Sequence, residues 1–124
     1  MSKKNILIVE DNDSEAIAFS NIMEQAGFVV ERASDGALGF SLIKEKRPDL
    51  VLLDLILPKM TGFDILSHCQ KDPELKEIPI IVLTNLTQGD EVTKSLSLGA
   101  KDHLIKTSIS APDLVRKVKK FMQE

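Results

Sequence analysis

Five short apolar runs recur along this chain, and longer segments of helical pattern separate them. The runs lie near residues 5–9, 28–32, 50–54, 79–83 and 102–105. Ile78-Pro79-Ile80-Ile81-Val82-Leu83 is apolar throughout, as a central parallel strand covered on both faces should be. A strict alternation of strand and helix predicts an α/β fold with a parallel sheet and right-handed crossovers. With 124 residues and 43% apolar composition, the chain can bury one substantial core. No linker, repeat or low-complexity tract interrupts the pattern. The expectation is therefore one domain over residues 1–124, with no output domain.

Helices are expected over 14–26, 35–46, 62–71, 88–98 and 111–123. The first carries Ala18, Phe19, Ile22, Met23 and Ala26 on one face, the second Ala37, Leu38, Leu42 and Ile43. The third carries Phe63, Ile65, Leu66 and Cys69, the fourth Val92, Leu96 and Leu98. The fifth carries Leu114, Val115, Val118, Phe121 and Met122. Gly27 and Gly99 stand where glycine stops a helix. Thr61 with Asp64, Thr87 with Asp90 and Ser110 with Asp113 have the spacing of capping boxes.

Composition excludes several classes. The net charge is −3 and the charges are mixed, so the chain lacks the basic stripe of a nucleic-acid binder. The run Arg116-Lys117-Val118-Lys119-Lys120 reads as a solvated helix face. No apolar stretch approaches the ~20 residues of a membrane helix. Cys69 is the single cysteine, so no internal disulfide is possible, and the cytoplasm is the expected compartment.

Acids stand where the first and third apolar runs end. Glu10 and Asp11 follow Asn5-Ile6-Leu7-Ile8-Val9, and Asp54 follows Leu50-Val51-Leu52-Leu53. Carboxylates brought together at the mouth of a core repel, and desolvating them is costly unless a cation compensates. An all-oxygen site of this kind suits a hard cation such as Mg²⁺. In open α/β sheets, ligands bind at the carboxyl ends of strands, near the point where strand order reverses. With the first and third strands adjacent, the three acids share that crevice. Thr84 and Lys106, ending the fourth and fifth runs, reach the same rim. Acids for a metal, plus a hydroxyl and an ammonium for phosphoryl oxygens, make a phosphoryl-transfer site.

Four motifs, in order, resemble the receiver domain of bacterial two-component response regulators along nearly the whole chain. Leu7-Ile8-Val9-Glu10-Asp11 resembles its first strand with an acid pair. Asp54-Leu55-Ile56-Leu57-Pro58 followed by Gly62 resembles its phosphoacceptor loop. Thr84 stands where the family has Thr or Ser, and Gly99-Ala100-Lys101-Asp102-His103-Leu104-Ile105-Lys106 resembles its fifth-strand segment. The resemblance implies a flavodoxin-like, doubly wound, five-stranded parallel sheet in the order 2-1-3-4-5. It implies that Asp54 takes a phosphoryl group from a histidine kinase or phosphotransfer protein. Asp11, Asp54 and the backbone carbonyl of Ile56 would ligate Mg²⁺, with Glu10 acting through a water. Lys106 would pair with Asp54 and then with the phosphoryl group, and Thr84 would swing in to hold it. The signal would leave through the face of the fourth helix, fifth strand and fifth helix, where a protein target docks and two copies could pair. The domain would be a switch, not an enzyme by the usual classification.

The chain departs from the family pattern at His103, usually Tyr or Phe, at Thr107, commonly a proline after a cis bond, and at Asn85, usually Ala or Gly. A cis bond before Thr107 would cost about 2.5–4 kcal/mol, so a trans bond is expected. Asn85 is expected to narrow the phosphoryl path. Ile56 and Leu86 cannot orient a water, so slow self-dephosphorylation is expected. His103 either alters the switch, with some pH sensitivity, or is a strand-end residue with no part in it. Three other readings compete. One is a receiver that binds a partner without phosphorylation. Another is a haloacid-dehalogenase-type phosphatase with Asp11 as nucleophile, which would leave Asp54 without a role. The last, a flavodoxin-like cofactor binder, would need a phosphate-cradling loop where acids stand.

Overall fold

The structure, a computed structural model, describes residues 3–86 and 89–122. Ten elements alternate as β1 (Asn5–Val9), α1 (Asp13–Gln25), β2 (Val29–Ala33), α2 (Gly36–Lys46), β3 (Leu50–Leu53), α3 (Gly62–Lys71), β4 (Ile80–Thr84), α4 (Gly89–Ser97), β5 (Asp102–Ile105) and α5 (Ala111–Met122). All strands pair in parallel, in the order β2-β1-β3-β4-β5. This is the flavodoxin-like α/β sheet that the alternation implied. The strand order reverses between β1 and β3, so their carboxyl ends border the crevice.

Side chains of a strand point alternately to opposite faces, and the two faces have separate cores. Leu7, Val9, Val51, Leu53 and Val82 pack with Ile43 of α2 and Ile65, Leu66 and Cys69 of α3. Ile6, Ile8, Leu50, Leu52, Ile81 and Leu83 pack with Met23 of α1 and Leu114 and Val118 of α5. Each fully buried side chain of this size contributes roughly 1.5–3 kcal/mol. Every residue of β3 and β4 is buried, and β1 is exposed only at Asn5. That is why these strands read as unbroken apolar runs.

Helix starts follow capping chemistry. Thr61 and Asp64 form a complete capping box at α3. At α5 one half is present, the Asp113 N–H donating to Ser110 Oγ at 3.2 Å. Thr87, the expected cap of the fourth helix, lies outside the described residues, as does Gln123 at the expected end of the fifth. Asn12 and Asp35 cap α1 and α2 through Glu15 N–H and Leu38 N–H. Gly27 and Gly99 take positive φ, 98° and 104°, as their stop signals predicted.

On three helices one or two residues of the predicted apolar face turn to solvent while the others pack inward. Ala18 is exposed and Ala16 is buried. On α2, Ala37 and Leu38 face solvent while Gly36, Gly39 and Ile43 are buried. The cause is close approach: a Cβ on Gly39 would lie 2.7 Å from a Val9 methyl. Helix and strand can touch there only through glycine, which a count of apolar side chains overlooks. On α4, Leu96 is 44% exposed and Ser95 is fully buried, because its hydroxyl finds partners inside.

Candidate functional site

The site forms because β1 and β3 end side by side. The Asp54 N–H donates to Val9 O at 3.1 Å, and the Glu10 N–H to Ala33 O at 3.0 Å. Both acids therefore leave the sheet at one level. Glu10 is 3% exposed and Asp54 is 7% exposed, while Asp11 faces solvent. Carboxylate oxygens of the three lie within 4.8 Å of one another. The cleft they border has a volume of about 350 Å³ and is lined also by Glu15, Thr84 and Lys106. All its anionic groups are carboxylates, so the chemistry fits a hard divalent cation.

Lys106 supplies the positive charge. Its side chain is 6% exposed, and its Nζ lies 2.5 Å from Glu10 Oε1 and 2.7 Å from Asp54 Oδ2. The Lys106 N–H donates to Thr84 O at 2.9 Å, which fixes the end of β5 against the end of β4. Burial alone would lower the ammonium's pKa, but the bonds to Asp54 and Glu10 outweigh it and hold the group above its ordinary range, fully protonated. Burial pushes the Glu10 carboxyl up from its usual value, against the bonds from Lys106 and the Asn12 N–H, and the nearby Asp54 pushes it the same way. A buried acid with a raised pKa and a specific charge partner in a cleft is a candidate functional group.

The Asp54 carboxylate is also held by its own loop. Oδ1 accepts from the Leu55 N–H at 2.7 Å and, more weakly, from the Ile56 N–H at 3.5 Å. The loop returns to α3 through Gly62, whose N–H donates to Leu55 O at 2.9 Å. A Cβ on Gly62 would lie 2.4 Å from Asp54 O, so glycine is required for that return. Lys59, between them, has φ 71°, a left-handed conformation uncommon outside glycine. Ile56 is exposed and lines the cleft.

The structure brings together all of the expected rim residues: Glu10, Asp11, Asp54, Ile56, Thr84 and Lys106 line one cleft. His103 stands apart from it, on β5 opposite Val82. It is half-buried, and both ring nitrogens have partners, Ser95 Oγ and Leu86 O, each at 2.8 Å. No cis peptide bond occurs among the described residues, so the bond before Thr107 is trans, as expected. Residues 107–109 form a turn in which Ser108 and Ile109 N–H groups donate to Ile105 O at 3.0 Å.

Two site residues escaped the sequence reading. Glu15 Oε1 lies 3.2 Å from Lys106 Nζ. Its reach to Lys106 depends on the phase of α1, which apolar spacing alone did not fix. Arg32 donates to Glu10 O through Nε at 3.0 Å and Nη2 at 2.8 Å, and pairs with Asp13 at 2.8 Å. An arginine directly opposite Ile8 in the register could have been placed only once β1 and β2 were paired.

A second cavity of about 350 Å³ lies at the other end of β1 and β2, among Asn5, Val29, Leu42 and Pro48. Its charged rim is a single Lys46–Glu31 pair at 3.6 Å, so it lacks the convergent groups of the acid cleft. The Cys69 thiol is buried, and burial followed by the Asp72 charge pushes its pKa up to about 11. It is an apolar filler, not a nucleophile. No helix among the described residues is long and apolar enough to cross a membrane.

The family model described as the response regulator receiver domain matches residues 6–119. The polar-differentiation response regulator DivK of Brucella anthropi is 32% identical over 120 residues, covering 96% of each chain. A putative response regulator from Chloroflexus aurantiacus superposes with a TM-score of 0.92 at 28% identity, covering 99% of this chain and 100% of that one. The Mn²⁺-bound form of response regulator Rcp1 gives 0.84 at 27% identity, covering 98% and 95%. With the family model spanning nearly the whole chain and an acid cleft at the expected strand ends, this chain belongs to the response regulator receiver domain family.

Proposed function

We propose that this domain is a phosphorylation-driven switch whose phosphoacceptor is Asp54. One observation carries the reading: Asp54, buried and bonded to Lys106 as Glu10 is, is the acid that opens the loop to Pro58 and Gly62, whose first N–H holds its carboxylate in place. In the reaction an Asp54 carboxylate oxygen forms a bond to the phosphorus of a phosphohistidine. The P–N bond of the donor breaks, and its electron pair stays on the imidazole nitrogen. Lys106 moves its contact from the carboxylate to a phosphoryl oxygen. Glu15, within reach of Nζ, keeps the ammonium anchored during that exchange. Thr84, buried at the end of β4, donates its hydroxyl to another phosphoryl oxygen.

Glu10, Asp11, Asp54 and the Ile56 carbonyl would hold Mg²⁺, a role supported by the all-oxygen cluster and by the Mn²⁺ bound to the related Rcp1. When bound, the ion supplies positive charge that offsets the carboxylates and the charge developing on the phosphoryl group. The donor is a histidine kinase or phosphotransfer protein. The output is a shifted population of the α4–β5–α5 face, read by a protein target in the cytoplasm. Ile56 and Leu86 beside the cleft are apolar and cannot orient an attacking water, so the phosphoryl group should be long-lived.

Incubation with acetyl phosphate and Mg²⁺, followed by borohydride trapping and peptide mapping, tests the assignment. One phosphoryl group should appear on Asp54 and disappear in Asp54→Asn. Labelling of Asp11 instead would favour phosphatase-type chemistry. No labelling of any residue would mean a receiver that signals without phosphate.

A further inference from the structure

The contacts around His103 contain one hydrogen bond too many for a neutral ring. Nε2 lies 2.8 Å from Leu86 O, a group that can only accept, so Nε2 must carry a proton. Nδ1 lies 2.8 Å from Ser95 Oγ, and that hydroxyl also lies 3.0 Å from Val92 O, again only an acceptor. A serine has one proton to donate. If it goes to Val92 O, then Nδ1 must donate to Oγ, and the ring is an imidazolium. If the ring is neutral, Ser95 must turn its proton to Nδ1 and abandon Val92 O, or Nε2 must abandon Leu86 O. All three contacts are satisfied together only in the charged ring.

The contested residue leads directly to the switch. The Leu86 N–H donates to Thr84 Oγ1 at 3.4 Å, while its carbonyl accepts from His103. Thr84 Oγ1, acting as acceptor there, keeps its own proton free for a phosphoryl oxygen. The geometry points to His103 and Ser95 as positioning residues that present Thr84 through Leu86, in a clasp that is complete when the histidine is protonated. This rests on the phosphoryl-switch reading above.

The charged groups around the clasp are few. β4 carries none. On β5, Asp102 Oδ1 accepts from the His103 backbone N–H at 2.8 Å, and Oδ2 pairs with Lys117 of α5 at 2.7 Å. On α4, Asp90 is exposed, and Lys94 lies over the Phe63 ring at 4.3 Å. Glu91 precedes Ser95 by four residues and so shares its helix face. Its Oε2 is buried without a hydrogen-bond partner among the described residues. Histidine is the side chain that ordinarily changes charge near neutral pH, so pH is the variable that tests the clasp.

Two measurements on the intact chain test this. In the first, ring nitrogen shifts of His103 and the amide shifts of Leu86 and Ser95 are followed against pH without ligand. The amides should titrate with the ring, and those of Leu86 should not do so in His103→Gln, which can bond but cannot titrate. In the second, half-saturation by beryllofluoride with Mg²⁺ is measured across the same range. Taking the ratio to His103→Gln removes the pH dependence that both proteins share through the acid cleft. The wild-type ratio should weaken by about twofold to tenfold as the ring loses its proton, one hydrogen bond's worth. Ser95→Ala should flatten it, since no hydroxyl proton is then contested. Amides that ignore the ring would overturn the clasp. A flat or inverted ratio beside titrating amides would overturn its coupling to Thr84. Failure of beryllofluoride to bind any variant would count against the phosphoryl reading and leave the clasp to stand or fall on the first measurement.

Discussion

The rim of β1 and β3 and the flank of α4 and β5 are built by opposite means. At the rim, the acids stand on strands buried on both faces, and backbone bonds set their height. α3 behind them buries Ile65, Leu66 and Cys69 under a complete capping box. At the flank, α4 fully buries one residue, Ser95, and leaves Leu96 exposed. The described flank is held by hydrogen bonds through His103, a lysine over Phe63 and partly buried Val92 and Leu98. Apolar packing makes one geometry much better than its neighbours. A few polar bonds can be exchanged at a cost of about 1 kcal/mol each. On the proposed reading, the chemistry sits on the tightly packed part and the signal leaves through the part held by exchangeable bonds.

Mutations should separate the two regions most clearly in stability. Leu52→Ala empties a fully buried site beneath the rim and should cost about 2–5 kcal/mol in urea unfolding. Leu96→Ala, on the flank, should stay within about 0.5 kcal/mol. Similar costs for the two would erase the contrast. Gly62→Ala should come next, at about 1–3 kcal/mol, because its Cβ meets Asp54 O. It should also slow phosphoryl uptake, since the backbone that must yield carries Asp54; unchanged uptake would mean that the loop accommodates the methyl elsewhere.

A smaller effect concerns the rim acids themselves. Burial raises the Glu10 pKa above 4.5. A carboxyl with a raised folded-state pKa contributes stability below its unfolded value and loses it as pH rises through the folded one. Glu10→Gln removes that loss. The variant should gain stability relative to the parent as pH rises from the ordinary glutamate range through the raised value, by less than the Leu52→Ala loss. Mg²⁺ should stabilise the parent at neutral pH more than it stabilises the variant. A constant difference across pH would mean that the Lys106 bond fully compensates the buried charge.

The two regions also differed in how far the sequence exposed them. The strands could be read because a parallel strand covered on both faces must be apolar along its length, as in Leu50–Leu53 and Ile80–Leu83. The acids could be read because a carboxylate after such a run needs a cation. Glu15 and Arg32 could not, since their reach to Lys106 and Glu10 depends on helix phase and strand pairing. Gly39 and Ser95 were missed for a related reason. A count of apolar side chains cannot see a helix that approaches through glycine, or a serine that turns inward because a histidine waits for it. His103 was visible as a departure, but its meaning depended on Ser95 and Leu86, eight and seventeen residues away.

The most direct measurement is a backbone amide shift map with and without beryllofluoride and Mg²⁺. Beyond residues that border the cleft, shifts should concentrate from Thr84 to Lys106, across β4's end, α4 and β5, while the interior of β1, β3 and α3 stays unchanged. Shifts spread evenly through both regions, or confined to the cleft with none along α4 and β5, would contradict a fixed rim coupled to a movable flank.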